Sequence, residues 1–267
     1  MIKVLSLHLT SKCNMNPRCP FCYSKPREDK PLKWFLDVPK VAAELGVEQM
    51  PIGGGEVLSL DGKGLRIVNK LLKECEEYSI IPNLTTNGLS LPESVDYSKL
   101  GVISFSFDIY KVKRVTLRKL VSNIKKAKSY GVKVGLSYLL LDRESLYRVV
   151  SAYLYFEHLI DYFYVLQLKY HRTEYSTKEL KDILVPFSLL LNGRVLLDDS
   201  IHLRLGLKNR CSRGNEMIAL FSDGSVSGCS FDKPISCIDK PSDLAEVVES
   251  YYPMKETLTC PFVYLSI

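Results

Sequence analysis

Three cysteines near the start of the chain have the spacing of a metal-binding loop. Cys13, Cys19 and Cys22 lie at C-x5-C-x2-C, directly after a strand-like run over residues 3–10. Three thiolates on one short loop can hold three irons of an iron–sulfur cube and leave the fourth iron open to a small molecule. A closed zinc site needs a fourth protein ligand, and no His or Cys follows at short spacing. Disulfides explain such a loop only in a secreted protein.

A second set of cysteines lies in the last quarter of the chain, at Cys211, Cys229, Cys237 and Cys260. Four thiolates can complete a closed site without an open coordination position. Their spacing suits zinc as well as an iron–sulfur cluster, so the residues alone are compatible with either metal. Cys75 lies in an apolar stripe with helical spacing and is expected to be a buried thiol.

Glycine and polar residues follow three further predicted strands. Residues 53–56 read Gly-Gly-Gly-Glu, residues 85–88 read Thr-Thr-Asn-Gly, and Ser106 and Asp108 end the fourth strand. Glycines let the backbone approach a ligand closely, yet each motif alone is explained by a turn or by capping of a strand end. Their shared position at successive strand ends predicts a common site.

Strand-like and helical runs alternate six times between Val4 and Leu191. Such alternation predicts a parallel sheet with right-handed crossovers, in either a barrel or a doubly wound open sheet. The cysteine loop follows the first strand at its carboxyl end, where barrel enzymes carry their chemistry.

The pattern changes after about residue 192. Residues 194–205 are β-rich without a long helix after them, and residues 217–229 predict a β-hairpin with an Asp-Gly turn. A short helix over residues 243–251 is predicted to end before Pro253.

Composition excludes several classes of protein. The chain has 267 residues, 46% apolar and 25% charged, as in a globular protein with one barrel-sized domain or one domain and an appendage. No apolar run reaches membrane-spanning length, and residues 1–8 are too short and too alternating for a signal peptide, so we expect a cytoplasmic protein without a membrane partner. The net charge of +6 is spread, with lysines near residues 111–128 on an expected solvated face, and predicts no nucleic-acid partner.

The cysteine loop resembles that of the radical S-adenosylmethionine (radical SAM) superfamily. That loop reads C-x3-C-x2-C, usually with an aromatic residue before the third cysteine, and Phe21 has this place here. The chain differs by two extra residues between the first two cysteines. The Gly-Gly-Glu motif of the family contacts the amino group of S-adenosylmethionine, which implies this role for Gly54, Gly55 and Glu56, although Val57 replaces the usual proline.

The same resemblance implies roles for residues at the ends of the third and fourth strands. Thr86 and Asn87 match the family's Thr-Asn-Gly near the nucleoside, and Ser106 and Asp108 match a Ser-x-Asp near the methionine and ribose groups. The implied fold is an α/β partial (β/α)6 TIM barrel over residues 1–192. The hairpin sequence at residues 220–229 resembles the SPASM and Twitch extensions, which implies a C-terminal hairpin-and-helix domain over 193–267 with one auxiliary 4Fe–4S cluster on the four C-terminal cysteines.

The resemblance implies a radical SAM enzyme. A 4Fe–4S cluster on Cys13, Cys19 and Cys22 would reductively cleave S-adenosylmethionine, and the 5′-deoxyadenosyl radical would abstract hydrogen from a peptide or a small molecule. The expected partners are this substrate and a one-electron donor of the ferredoxin or flavodoxin type. The alternative is a non-catalytic zinc or iron–sulfur module that binds RNA or senses redox state.

Overall fold

The computed structural model describes residues 2–113, 115–191, 193–251 and Cys260. Ten strands form one sheet: β1 (Val4–Thr10), β2 (Gln49–Gly54), β3 (Ile81–Thr86), β4 (Val102–Phe107), β5 (Lys133–Leu140), β6 (Tyr162–Gln167), β7 (Val195–Leu197), β8 (Met217–Leu220), β9 (Ser225–Ser227) and β10 (Ser236–Cys237). The helices are α1 (Val38–Glu44), α2 (Gly62–Glu77), α3 (Leu117–Ser129), α4 (Arg143–Tyr147), α5 (Val149–Phe156), α6 (Thr177–Leu190), α7 (Asp199–Arg204) and α8 (Leu244–Tyr251).

The strand order decides between the two predicted sheets. It runs β10-β9-β8-β1-β2-β3-β4-β5-β6-β7, and β1 to β7 are parallel and adjacent in chain order. A doubly wound sheet reverses its order at a switch point, and this sheet does not. Right-handed crossovers between consecutive neighbours place the helices on one face. The predicted α/β partial barrel is therefore confirmed, and the doubly wound alternative is wrong.

The two faces of the sheet differ in chemistry, because side chains alternate along each strand. On β1, Leu5, Leu7 and Leu9 are fully buried on the helix-covered face. Residues that share the other, concave face are small or polar, and many of them keep some exposure: Ser6, His8, Thr10, Asn83, Thr85, Ser104, Ser106, Ser137 and Tyr164. Parallel strands packed on both faces are usually apolar on both. A polar second face therefore indicates a surface that receives a ligand.

Helix α2 shows how the apolar stripes position the barrel. Asp61 begins the helix by accepting a hydrogen bond from the Gly64 backbone N–H at 2.7 Å. The stripe from Leu65 to Cys75 faces the sheet, and Cys75 is fully buried, as predicted. Burial raises the pKa of the Cys75 thiol to about 12, so this cysteine is an unreactive core residue.

The C-terminal part of the chain joins both edges of the same sheet. The short β7 extends the sheet beyond β6, and β8 pairs in parallel with β1, with Ser6 opposite Ala219. The predicted hairpin between β8 and β9 is confirmed, and Gly224 adopts a φ of 88° in its turn, where a side chain would be strained. The predicted domain boundary at 192/193 stays a prediction, since residue 192, like Pro253, lies outside the described residues.

The expectation that residues 194–205 are β-rich is wrong for most of that stretch. Only Val195–Leu197 of the β-rich stretch is a strand, and residues 199–204 form α7. The Asp198 side chain accepts a hydrogen bond from the Ile201 backbone N–H at 2.9 Å, which caps the helix and ends the strand. Within the described residues, no helix is both long and apolar enough to cross a membrane.

Candidate functional site

The cysteine loop leaves the carboxyl end of β1 and forms no helix or strand before residue 32. The side chains of Cys13, Cys19 and Cys22 are half-buried. The Cys22 backbone N–H donates to the Cys19 carbonyl oxygen at 3.0 Å, and the Cys22 thiol donates to the Ser24 carbonyl oxygen at 3.5 Å. Three cysteines on an irregular, partly accessible loop are a donor set that fits an iron–sulfur cluster.

The glycines that follow β2 lie directly against this loop. Gly55 donates its backbone N–H to the Thr10 carbonyl oxygen at 2.6 Å. A Cβ on Gly55 would lie 1.9 Å from the Lys12 carbonyl oxygen, and Gly54 has a φ of 101°. Only glycine allows both the close approach and this backbone conformation. The glycine motif therefore fixes the backbone next to Cys13.

Glu56 ties β2 to β3 beneath the loop. Its side chain is 2% exposed and accepts hydrogen bonds from the Thr86 hydroxyl at 2.9 Å and from the Asn87 backbone N–H at 2.6 Å. Its own backbone N–H donates to the Lys12 carbonyl oxygen at 2.7 Å. Burial raises the pKa of Glu56, and the hydrogen bonds and the Lys111 charge oppose that rise.

Asn87 connects the end of β3 to the cysteine loop. Its side-chain amide donates to the Asn14 side-chain oxygen at 2.8 Å and lies 3.9 Å from the Cys13 sulfur. Its own side-chain oxygen accepts from the Leu89 backbone N–H at 2.9 Å, which fixes the orientation of the amide. The structure therefore brings together the loop and the predicted residues that follow β2 and β3.

Ser106 and Asp108 both accept hydrogen bonds from a lysine that the sequence did not indicate. Lys111 is buried and donates its ammonium to the Ser106 carbonyl oxygen, while its backbone N–H donates to the Asp108 carbonyl oxygen at 2.9 Å. Asp108 is 5% exposed. The expectation that Lys111 belongs to a solvated face is wrong, because the turn after β4 folds it back over the strand end.

The C-terminal cysteines are only partly brought together. Cys211 and Cys260 are buried in one cluster, and their mutual hydrogen bond, together with burial, raises the pKa of Cys211. Burial raises the pKa of Cys229 to about 11, with smaller contributions from Asp232 and from Cys211 nearby. Cys237 instead is exposed on β10, where its thiol donates to the Asp223 carbonyl oxygen at 3.8 Å.

Neither cysteine set is arranged around a metal in advance. Across residues 2–113, 115–191, 193–251 and 260, no three His, Cys, Asp or Glu side chains gather in a geometry that could hold a metal ion. Thiol ligands bind a metal only after deprotonation, so binding and the final arrangement of the ligands are coupled.

His8 is a further residue that the sequence did not single out. It is 3% exposed on the concave face, its Nε2 lies 2.9 Å from the Ser230 hydroxyl, and its ring packs against Tyr23 and Phe221. Burial, and to a smaller extent the nearby Arg27, lowers the pKa of His8 to about 4. The alternation of β1 could have indicated His8 from the sequence, because it places this residue on the same face of the strand as Ser6 and Thr10.

No protein-family model matches this sequence. One curated relative is a probable GTP 3′,8-cyclase of Archaeoglobus fulgidus, 30% identical over 142 residues. The match includes 48% of this chain and 45% of that protein, so the chain spans less than half the length of this relative.

Solved structures are similar over nearly the whole chain. One is Streptococcus suis SuiB bound to S-adenosylmethionine. The match covers 98% of this chain and 67% of the SuiB chain, with a TM-score of 0.72 and 16% sequence identity. Another is anSMEcpe with bound AdoMet. That match covers 95% of this chain and 82% of the anSMEcpe chain, with a TM-score of 0.71 and 18% sequence identity. At this identity the likeness shows the fold, a partial barrel, and nothing finer.

Proposed function

We propose that this chain is a radical SAM enzyme. The sequence relative and the fold both support the radical SAM superfamily. The observation that carries the proposal is the contact of separate motifs with one loop. Gly55 and Glu56 bond to the backbone before Cys13, and Asn87 bonds to Asn14 beyond it. Each motif alone is explained by a turn, but their meeting at the carboxyl end of a partial barrel is expected of a cofactor site.

In this proposal Cys13, Cys19 and Cys22 hold three irons of a 4Fe–4S cluster. When bound, the cluster supplies the electron for reductive cleavage of S-adenosylmethionine, and the 5′-deoxyadenosyl radical abstracts hydrogen from a substrate. Gly54 and Gly55 let the end of β2 pack against the backbone of the cysteine loop, where a side chain would meet the Thr10 and Lys12 carbonyl oxygens.

Buried polar groups of the chain would bind and orient S-adenosylmethionine. The carboxylates of Glu56 and Asp108 are almost fully buried, and a charged group that is removed from water forms strong directional hydrogen bonds. Asn87 and Thr86 hold the Glu56 side chain in one orientation. Fixed donors and acceptors of this kind contribute to catalysis by positioning the reactants.

We infer that the substrate lies on the concave face. Ser104 and Ser137 there share a hydrogen bond at 2.7 Å, and Thr85 is exposed beside the predicted cofactor residues. A peptide fits this surface, because its amide groups can exchange hydrogen bonds with hydroxyls. Among the similar structures, SuiB has been solved with a precursor peptide and anSMEcpe with a Cp18Cys peptide. A small molecule, as for the cyclase relative, is the second candidate.

A second cluster is also proposed, in the C-terminal part of the chain. Its support is the buried pair of Cys211 and Cys260, which packs beside Phe231, and the Coulombic effect of Cys211 on Cys229. The predicted fourth ligand, Cys237, and the Twitch-like assignment stay predictions.

Metal analysis of anaerobically purified protein tests the proposal. We expect about seven to eight irons with equal acid-labile sulfide, from two four-iron cubes. Addition of S-adenosylmethionine should change the electron paramagnetic resonance (EPR) spectrum of the reduced protein. Two zinc ions without sulfide would favour the non-catalytic module instead.

A further inference from the structure

The cysteine loop and the distant β8–β9 turn are held together by one network. Because β8 runs parallel to β1, the turn after Leu220 lies at the same end of the sheet as Thr10 and the loop that follows it. The chain returns from the loop along this turn, and the Lys30 backbone N–H donates to the Ser222 carbonyl oxygen at 2.6 Å.

Hydrogen bonds join the two ends of the cysteine loop, residues 10–11 and residues 27–29. The Ser11 hydroxyl accepts from the Arg27 backbone N–H at 3.0 Å and donates to the Arg27 carbonyl oxygen at 3.2 Å. The Asp29 carboxylate accepts from the Thr10 hydroxyl at 2.8 Å and from the Ser11 backbone N–H at 3.0 Å. These bonds fix where the segment that carries Cys13, Cys19 and Cys22 begins and ends.

The Arg27 side chain connects these joined loop ends to the β8–β9 hairpin. Its guanidinium donates to the Asp223 carboxylate at 2.7 Å and to the Ser225 hydroxyl at 3.0 Å, and lies 4.1 Å from the centre of the Phe221 ring. The side chains of Arg27 and Asp223 are only 23% and 26% exposed. The guanidinium lies over the Phe221 ring while one of its nitrogens donates to both oxygens, and lysine, which has no planar group, cannot reproduce this combination.

We propose that Arg27 is a positioning residue for the first cysteine loop, and that the β8–β9 turn is thereby part of the S-adenosylmethionine site. This inference rests on the proposed function. Arg27 acts through the loop backbone, so its loss should displace the loop relative to Glu56 and Asn87. Cofactor binding should weaken while the ligands themselves remain.

The test is an anaerobic titration of S-adenosylmethionine into the reduced holoenzyme, followed by EPR. Arg27→Met keeps the apolar stem but removes the donors, and should require roughly tenfold more S-adenosylmethionine for the half-maximal change, with iron content retained. Asp223→Asn should also weaken the response, and the double variant should lose less affinity than the two single variants added together, because both changes break the Arg27–Asp223 contact.

Lys30→Met provides the matched control. Lys30 also pairs with the C-terminal segment, at 3.4 Å from Asp239, but Asp239 is 94% exposed. An exposed ion pair contributes little, so this variant should shift the titration less than about twofold. If Arg27→Met is unstable, Arg27→Lys retains the charge and should still show several-fold weaker binding.

The outcomes separate the two claims. If wild-type protein has iron–sulfur clusters but no spectral response to S-adenosylmethionine, the proposed function fails. If wild type responds and Arg27→Met titrates like wild type, or like Lys30→Met, only the role of Arg27 is refuted.

Discussion

The two cysteine regions are built in opposite ways. Cys13, Cys19 and Cys22 lie within ten residues of each other on one loop, whose backbone is held by glycines from β2. Cys211, Cys229 and Cys260 come from three separate segments, and two of them are buried against each other. The fold holds the backbone of the first loop, whereas a metal on the second set would itself join segments of the chain. Loss of metal should therefore affect chemistry at the first region and stability at the second.

Removing a ligand from the first loop should have the largest effect on activity. Cys13→Ala, Cys19→Ala or Cys22→Ala should each remove about half of the iron, and should abolish formation of 5′-deoxyadenosine. The measurement combines iron and sulfide analysis with chromatography of the nucleoside products. If cleavage persists in any of these variants, that cysteine is not a ligand of the first cluster.

Removing ligands from the second region should separate stability from cleavage. Cys211→Ala should lose the second cluster and lower the melting temperature, because metal ligation supports a segment with a hairpin and a short helix. S-adenosylmethionine should still be cleaved, while turnover of the true substrate fails. Cys237→Ala is the matched comparison, because this exposed thiol lies at the hairpin turn rather than beside Cys260.

The same pair of variants decides the ligand set. If Cys237→Ala keeps all of its iron, three cysteines hold the second metal. If it loses as much iron as Cys211→Ala, the set of four predicted from the sequence is correct. Loss of both clusters from a folded Cys211→Ala protein would contradict the separation into two regions.

The strand-end carboxylates should affect binding without affecting iron. Glu56→Gln and Asp108→Ala should weaken S-adenosylmethionine binding by roughly ten- to a hundredfold, since a charge-assisted hydrogen bond contributes about 1.5–3 kcal/mol. Isothermal titration on the anaerobic protein measures this, and melting curves show whether the fold is retained. Unchanged affinity in both variants would place these carboxylates outside the site.

The smallest effect concerns the boundary between the two regions, where His8 contacts Ser230. The pKa of His8 is about 4 in the folded chain and 6.5 when unfolded, so the unfolded state binds more protons between these values. The stabilisation is complete above pH 6.5 and is lost as the pH falls towards 4. Between about pH 7.5 and pH 5 it amounts to about 2 kcal/mol.

Urea unfolding at these two pH values tests this expectation. Wild type should lose about 2 kcal/mol more stability than His8→Gln on acidification, because glutamine does not titrate. The exposed His158 offers the control, and His158→Gln should behave as wild type. An equal loss in wild type and His8→Gln would show that His8 is not buried as a neutral side chain.

Sequence patterns predicted the elements of this fold better than the contacts of the site. The apolar alternation of β1 and the stripe of α2 are local, and both elements form where they were predicted. The place of Arg27 depends on β8 joining β1, a pairing between distant parts of the chain that no local pattern encodes. Lys111 was misassigned for a related reason, because a lysine-rich segment is usually solvated and only the turn after β4 buries this one.

The pairing of β8 with β1 also has a consequence for biosynthesis. During translation β1 leaves the ribosome before the other strands of the sheet, and β2 can cover one of its edges soon afterwards. The other edge keeps its peptide groups unpaired until residues 217–220 emerge, so a nascent chain presents an open strand edge to neighbouring proteins. Ribosomes that pause or terminate before β8 should release a chain prone to aggregation, and the metal loop beside that edge should mature only after β8 has emerged.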